Sequence, residues 1–315
     1  MSKATIIGAG SVGATVAYTM ALNAIVSEIV IIDINKKKAF GEAMDIGQGA
    51  PFGSPVTIYS GDYEDAAGSD IVVITSGLAR KPGQSRLDLA QANVDVIKSI
   101  TPNIVKYAPD AVYILVSNPV DVLTYVFHKI SGIPEERIIG SGTILDTSRV
   151  RSRIAEHFKM SQKGVHAYVF GEHGDSAFVP WSLATIASIP VTEYEKALDP
   201  DFHKEIGNLD YEEIVNYTKT SGATVIANKG ATFYAVSIAT CHICKCLLGS
   251  NDTILTVSTM MHGEFGIDDV CLSGLALVGK GGIKRKIIPP LTDEEKEKFI
   301  YSANRIKDVI KSVTF

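Results

Sequence analysis

Ala4-Thr5-Ile6-Ile7-Gly8-Ala9-Gly10-Ser11-Val12-Gly13 is the stretch on which the fold turns. A β-branched run reads as a strand, three glycines spaced G-x-G-x-x-G as a tight turn, and alanine-rich residues 14–22 as a helix. Glu28-Ile29-Val30-Ile31-Ile32 follows as a second strand and closes on Asp33, 20 residues beyond Gly13. Each part has a physical task in holding a dinucleotide. Gly8 permits the turn, Gly10 lets the backbone approach a pyrophosphate, Gly13 lets helix and strand pack closely, and the helix N-terminus faces the phosphates. Asp33 can accept both ribose hydroxyls and repels a 2′-phosphate, which favours NAD over NADP.

The alternation continues outward from this unit. Residues 39–46 read as a helix, 56–59 and 71–75 as strands, 93–107 as a helix, 111–116 as a strand and 138–141 as a short further strand. Strands alternating with helices, without hairpin turns, predict an α/β fold of the Rossmann type, a doubly wound parallel sheet. Ligands of such sheets bind past the carboxyl ends of the strands. Those ends carry Gly8 to Gly13, Asp33, Thr75-Ser76-Gly77, Ser117-Asn118 and Gly140-Ser141-Gly142. A domain boundary is expected near Gly142, giving a nucleotide-binding domain over 1–142 and an α+β substrate domain over 143–315.

Composition narrows the function. In 315 residues, 46% are hydrophobic and 21% charged, ordinary for a soluble globular chain. A net charge of −5, with no basic block, argues against nucleic-acid partners. No apolar span has membrane length, and the N-terminus runs straight into a strand. Cys241, Cys244 and Cys246 crowd one apolar helical stretch, with Cys271 apart. This is no disulfide framework, so a reducing, cytoplasmic compartment is expected. Cys241-x-x-Cys244 lacks a second ligand pair, so it reads as buried helix thiols and no metal is expected.

Two further segments carry chemistry. Gly77 to Arg86 combines glycine, proline and the cations Arg80, Lys81 and Arg86, and it reads as a loop able to close over an anion. An apolar run from Val165 is expected as a strand delivering His173 into a glycine turn, Gly171-Glu172-His173-Gly174-Asp175-Ser176. Histidine gives or takes a proton near neutrality. Asp146 and Arg149, three apart near one helix face, can fix the imidazole's tautomer and fork onto a carboxylate substrate. Downstream, 211–228 and 232–248 read as helices, 253–258 and 270–272 as strands. A closing helix over 292–313 begins with a Thr292/Glu295 capping box.

Five segments in this order resemble the L-lactate/malate dehydrogenase family along almost the whole chain: Gly8–Gly13, Lys81–Arg86, Ser117-Asn118-Pro119, Leu145–Arg149 and Gly171–Ser176. The resemblance implies hydride transfer between NADH and a small 2-keto acid. It makes His173 the proton donor and acceptor, Asp146 its partner, and Arg86 the group that polarises the reacting carbonyl. Arg149 would hold the substrate carboxylate, and Asn118 would hydrogen-bond the substrate oxygen. Ser141 would lie near the nicotinamide. Gly8, Gly10, Val12, Gly13, Asp33, Gly77, Ser117 and Asn118 complete the expected cofactor set. A nucleotide sensor that kept the fold without the chemistry would be expected to have a broken site, and here these residues are all present.

Within the family, Thr232 and the helix after it, Leu87-Asp88-Leu89 and the Trp181 segment resemble the lactate dehydrogenases. Arg80 stands where that group usually carries glutamine and malate dehydrogenases carry arginine. Arg80, Gln84 and Thr232 are therefore expected at the discriminating end of the substrate, with pyruvate preferred and oxaloacetate the alternative. Arg151 and His166 match positions at which bacterial relatives bind fructose 1,6-bisphosphate between subunits, and the resemblance implies a homotetramer.

Overall fold

The computed structural model describes residues 2–78 and 86–315, with Arg86 and Leu87 described as backbone only. The first half alternates as β1 (Lys3–Ile7), α1 (Ser11–Leu22), β2 (Glu28–Ile32), α2 (Lys36–Gln48), β3 (Thr57–Ser60), β4 (Ile71–Ile74), α3 (Arg86–Tyr107), β5 (Val112–Leu115), α4 (Val120–Ser131) and β6 (Ile138–Gly140). These six strands are parallel, in spatial order β3-β2-β1-β4-β5-β6. The order reverses direction between β1 and β4, and the crevice above that point is where such sheets bind ligands. Strand β4 shows why the sheet forms: Val72 and Ile74 enter one apolar layer, and Ile71 and Val73 enter the other. Apolar on both faces, it can only be an interior strand.

The second half begins with α5 (Ile144–His157) and a small antiparallel sheet of β7 (Val165–His166), β8 (Thr185–Ile186) and β9 (Ile189–Pro190). Helices α6 (Val191–Tyr194), α7 (Pro200–Ile206), α8 (Tyr211–Lys229) and α9 (Tyr234–Leu248) follow. Then come β10 (Thr253–His262), β11 (Asp268–Gly279), β12 (Gly282–Ile287) and α10 (Asp293–Ser312). Strands β10 to β12 form an antiparallel meander that joins the parallel sheet at Ser258 opposite Gly140, extending it to nine strands. The closing helix has its capping box: the Glu295 amide donates to Thr292 Oγ1 at 3.2 Å, and the Thr292 amide to Glu295 Oε2 at 2.9 Å.

Three expectations need correction. The apolar run before His173 is a strand only at Val165–His166. Further along, α5 satisfies the backbone instead: Thr143 Oγ1 donates to the Val169 carbonyl at 2.5 Å, and the Val169 amide donates to Thr147 Oγ1 at 2.9 Å. The helix expected from residue 232 starts at Tyr234, leaving Thr232 in the preceding loop. Helix α4 and strand β12 were not anticipated. Residues Val120 to Phe127 of α4 are all buried, the polar Asp121 and Thr124 among them, so this helix lies inside the fold rather than on its surface.

Candidate active site

The glycine turn is built as its spacing requires. Gly8 has φ +110°, and a Cβ there would meet Thr75 Oγ1 at 2.8 Å and the Ser76 amide nitrogen at 2.9 Å. A Cβ on Gly13 would stand 1.8 Å from the Gly8 carbonyl oxygen, whereas one on Gly10 would meet nothing within 4 Å. Gly13 is therefore where the helix touches the turn, and Gly10 is where the turn is open to a ligand. As N-cap of α1, Gly10 has no side chain over the first-turn amides, which stay available for an anion. Asp33 has a second task that its sequence position did not disclose. Its Oδ2 accepts the Ala9 amide at 2.6 Å and its Oδ1 the Asn35 amide at 2.7 Å, so the acid braces the turn it serves.

Gly8, Gly10, Asp33 and Gly77 line a crevice of about 540 Å3, together with Thr75, Ser76 and the cations Lys36 and Lys38. An open glycine cradle at a helix N-terminus, with an acid at the end of the next strand, fits NAD. Val12, Gly13 and Ser117 are not among the residues that line this crevice. Ser117 Oγ donates to the carbonyl of the lining residue Ser76 at 2.6 Å. The buried Asn93 of α3 was missed by sequence reading. Its Oδ1 accepts the Leu78 amide at 2.7 Å and its Nδ2 donates to the Asn118 carbonyl at 2.7 Å, tying two strand-end loops together.

A second cavity of about 320 Å3 gathers Asn118, Ser141, Asp146, Arg149, His173 and Thr232, six residues singled out in the sequence. Helix α8 supplies Thr218, Lys219, Gly222 and Ala223 to its wall. His173 Nδ1 lies 2.5 Å from Asp146 Oδ2, and Arg149 Nη1 donates to Asp146 Oδ1 at 2.8 Å. The imidazole keeps a quarter of its surface exposed, whereas the Asp146 side chain keeps only 9%. The charge of Asp146 pushes the His173 pKa up to about 9, against burial, with the Asp146 hydrogen bond and the charge of Asp121 adding to it. Burial works to raise Asp146, but the charge and hydrogen bond of His173, and then Arg149, hold its carboxyl below the usual range. The pair is thus a carboxylate and an imidazolium, poised to release one proton into the cavity.

Three consecutive amides fix the histidine turn, each on a different element. Gly171 donates to the Ser273 carbonyl of β11 at 2.9 Å, Glu172 to Ser302 Oγ of α10 at 2.7 Å, and His173 to Asp121 Oδ2 of α4 at 2.8 Å. Asp121, Ser273 and Ser302 were not singled out in the sequence, because nothing near them in the chain announces a site.

The remaining expectations divide. Arg80 and Gln84 lie outside the described residues, and Arg86 is the first residue of α3. Arg151 Nε donates to the Ala167 carbonyl at 2.9 Å. Its guanidinium lies over the Tyr168 ring and lines a separate cavity of about 440 Å3 with Lys163 and His242. His166 is exposed on β7 and does not line that cavity. Cys241, Cys244 and Cys246 are free thiols buried in α9, and Cys271 is a free thiol buried in β11. No helix among the described residues is long and apolar enough to cross a membrane.

Two family models match this chain. Residues 2–140 match the family model for the lactate/malate dehydrogenase NAD-binding domain, and residues 143–314 that for the lactate/malate dehydrogenase alpha/beta C-terminal domain. An L-lactate dehydrogenase of Acetivibrio thermocellus is 46% identical over 313 residues, covering 99% of this chain and 98% of its own. That of Thermoanaerobacterium saccharolyticum is 45% identical over 317 residues, covering 99% of each. Among solved structures, L-lactate dehydrogenase from Clostridium thermocellum superposes with a TM-score of 0.88 at 41% identity, covering 100% of both chains. A minor L-lactate dehydrogenase from Enterococcus mundtii, in a ligands-bound form, reaches 0.92 at 34% identity, covering 100% of this chain and 99% of its own.

Proposed function

The chain belongs to the lactate/malate dehydrogenase family, and from that premise we propose that it is an L-lactate dehydrogenase reducing pyruvate reversibly to L-lactate. NAD, when bound, supplies or accepts the hydride. The observation that carries the reading is the His173–Asp146–Arg149 constellation on one cavity. His173, protonated at neutral pH, gives its proton to the oxygen that becomes the hydroxyl, and Asp146 stabilises the imidazolium until then. Arg149 has one guanidinium nitrogen on Asp146, and its outer edge faces the cavity to fork onto the substrate carboxylate. Asn118 donates to the substrate oxygen, and Arg86, at the head of α3, polarises the carbonyl. Ser141 serves the cofactor side and Thr232 the substrate's far end, the end to which the family resemblance also assigns Arg80 and Gln84. The full-length likeness to L-lactate dehydrogenases favours pyruvate over oxaloacetate. NADH oxidation with the two acids side by side tests it. A higher kcat/KM for pyruvate is expected, and the reverse ranking would make the enzyme a malate dehydrogenase.

Regulation and assembly belong to the same reading. Arg151 and His166 form a fructose 1,6-bisphosphate site completed by a symmetry mate, supported by the cations Arg151 and Lys163 on one cavity and by the exposure of His166 on β7 outside it. Pyruvate saturation curves that superimpose with and without the sugar bisphosphate across pH would remove it. A homotetramer is supported by the exposed apolar residues Tyr18, Leu22, Phe40 and Met44 on α1 and α2 and Tyr234 and Ile238 on α9. Sedimentation at micromolar concentration checks the mass. The domain division near Gly142 and a cytoplasmic location complete the proposal; limited proteolysis and cell fractionation test them.

A further inference from the structure

Asp121 is buried at 1% exposure in the first turn of α4, with its carboxylate behind the histidine turn. Oδ2 accepts the His173 amide at 2.8 Å, and Oδ1 accepts the Ser258 hydroxyl of β10 at 2.6 Å. Two hydrogen bonds are few for an ionised carboxylate so deeply buried, and among the described residues no lysine or arginine forms an ion pair with it. A buried acid with that little support has a reason to be there, and the nearest one is the imidazole of the residue it holds. We propose that Asp121 is a positioning residue for His173: its carboxylate pins the backbone of the histidine turn and is the second negative charge, after Asp146, that favours the protonated imidazole. This rests on the reading of His173 as the group that moves the proton.

The surroundings support an electrostatic as well as a mechanical task. The charged and titratable groups facing Asp121 are His173 and Glu172 from the turn and the thiol of Cys271 from β11. Burial raises the Cys271 thiol far enough to keep it neutral, so His173 is the partner of opposite charge. Around the imidazole, Asp146 and Asp121 both favour the charged form and Arg149 opposes it. Burial pushes Asp121 up to about 6, against the Ser258 hydroxyl and the His173 amide, so the group is ionised at neutral pH and loses its charge just below. His173 would then hold its proton most firmly where Asp121 is an anion and less firmly in mild acid.

Asp121→Asn separates the two tasks, because an amide can still accept the His173 amide and can donate to Ser258 while carrying no charge. The decisive measurement is the His173 imidazole titration by NMR, with its signal assigned by loss in His173→Ala. In a folded Asp121→Asn variant that still binds NADH, the His173 midpoint should move to lower pH by about 0.5–1. The upper limb of the kcat/KM profile for 2-keto acid reduction should move with it. An unchanged or raised midpoint overturns the proposal. If Asp121→Asn does not fold, Ser258→Ala serves: with one donor gone, Asp121 should protonate at higher pH, and the small acidic inflection that its ionisation imprints on the His173 NMR signal should move up with it. An inflection that stays in place, or a His173 signal with no acidic inflection in either protein, overturns the proposal by this route. Should no 2-keto acid be turned over, the enzymatic reading fails on its own, and the NMR titration still decides for or against Asp121.

Discussion

The two glycine turns of this molecule are built on opposite plans. The turn at Gly8–Gly13 is assembled largely from its own neighbourhood, Gly8 against Gly13, β1 against β2 and Asp33 reaching back to the Ala9 amide, with one distant support in Thr75 Oγ1, which donates to the Gly8 carbonyl at 3.1 Å. The turn at Gly171–Ser176 closes its second half locally, with the Gly174 amide on the Glu172 carbonyl at 2.9 Å and the Ser176 amide on Glu172 Oε2 at 3.3 Å, but its first half is held from afar. The amides of Gly171, Glu172 and His173 go to Ser273, Ser302 and Asp121, and the imidazole to Asp146. Binding a dinucleotide needs a shaped backbone, which a short stretch can supply. Moving a proton needs one side chain held to a fraction of an ångström in an exact electrostatic setting, and that is achieved from several directions at once. Concentrated and distributed construction should fail differently.

The largest effect should come from the histidine turn and fall on chemistry alone. His173→Ala removes the proton donor while every backbone contact of the turn can persist. The reduction rate should drop by roughly 10²–10⁴ or more. NADH affinity, read by fluorescence titration, should stay near wild type, because the glycine turn is built elsewhere. A parallel loss of NADH binding would mean that the two turns are not independent.

Gly13→Ala should do the converse. Its Cβ would stand 1.8 Å from the Gly8 carbonyl, and neither backbone can retreat without dismantling the turn. A cost of about 1–3 kcal/mol or more in stability is expected. NADH affinity should fall with it, and thermal melting and cofactor titration read both. A variant with wild-type melting and binding would show that the contact between Gly13 and Gly8 is not the constraint on this turn.

This difference in plan also explains what could be read from the chain. The parallel sheet, the glycine crevice and the place of Asp33 just past β2 follow from residues close in sequence, so their spacing exposes them. Asp146, Arg149 and His173 were visible because their side-chain types are chemical. Their supports were not. Asp121 looks like an acid in the first turn of a helix, and that helix was itself missed; its polar Asp121 and Thr124 are buried with the apolar residues around them. Asn93 lies inside an ordinary helix, and Ser302 on a closing helix nearly 130 residues from the turn it holds. The run Val165, Ala167, Val169 is buried at alternate positions, which imitates a strand. Only the structure shows that Thr143 and Thr147 take the place of a neighbouring strand.

A third difference appears with pH. The folded-state pKa of His173 is raised, so its contribution to stability is complete below the unfolded value near 6.5 and disappears as pH rises through about 9. Asp146 has the opposite sign: its folded pKa is depressed, and its contribution is lost as pH falls below the ordinary carboxylate range. Between pH 7 and 9, wild-type stability should decline by on the order of 1 kcal/mol per pH unit from His173. Chemical denaturation should show His173→Ala with a flatter dependence over that range, and Gly13→Ala with the wild-type slope. Equal slopes in all three proteins would place the titrating group elsewhere.

The smallest effect should come from removing one support of the distributed turn. Ser302 Oγ accepts the Glu172 amide at 2.7 Å and lies 2.9 Å from Ser176 Oγ, which is itself held by Glu172. In Ser302→Ala the Cβ stays, so packing against α10 is preserved and only the hydroxyl is lost. One unpaired amide next to a site open to water should cost about 1 kcal/mol. His173 would still be held by Asp121 through its backbone and by Asp146 through its ring, so kcat should fall only a few-fold and KM for the keto acid should hardly change. The two turns then give opposite answers to a change of one atom: a methyl added at Gly13 dismantles a concentrated turn, while a hydroxyl taken from Ser302 leaves a distributed one working. A loss in Ser302→Ala as deep as that in His173→Ala would mean that the supports act as a single unit, with no redundancy among them.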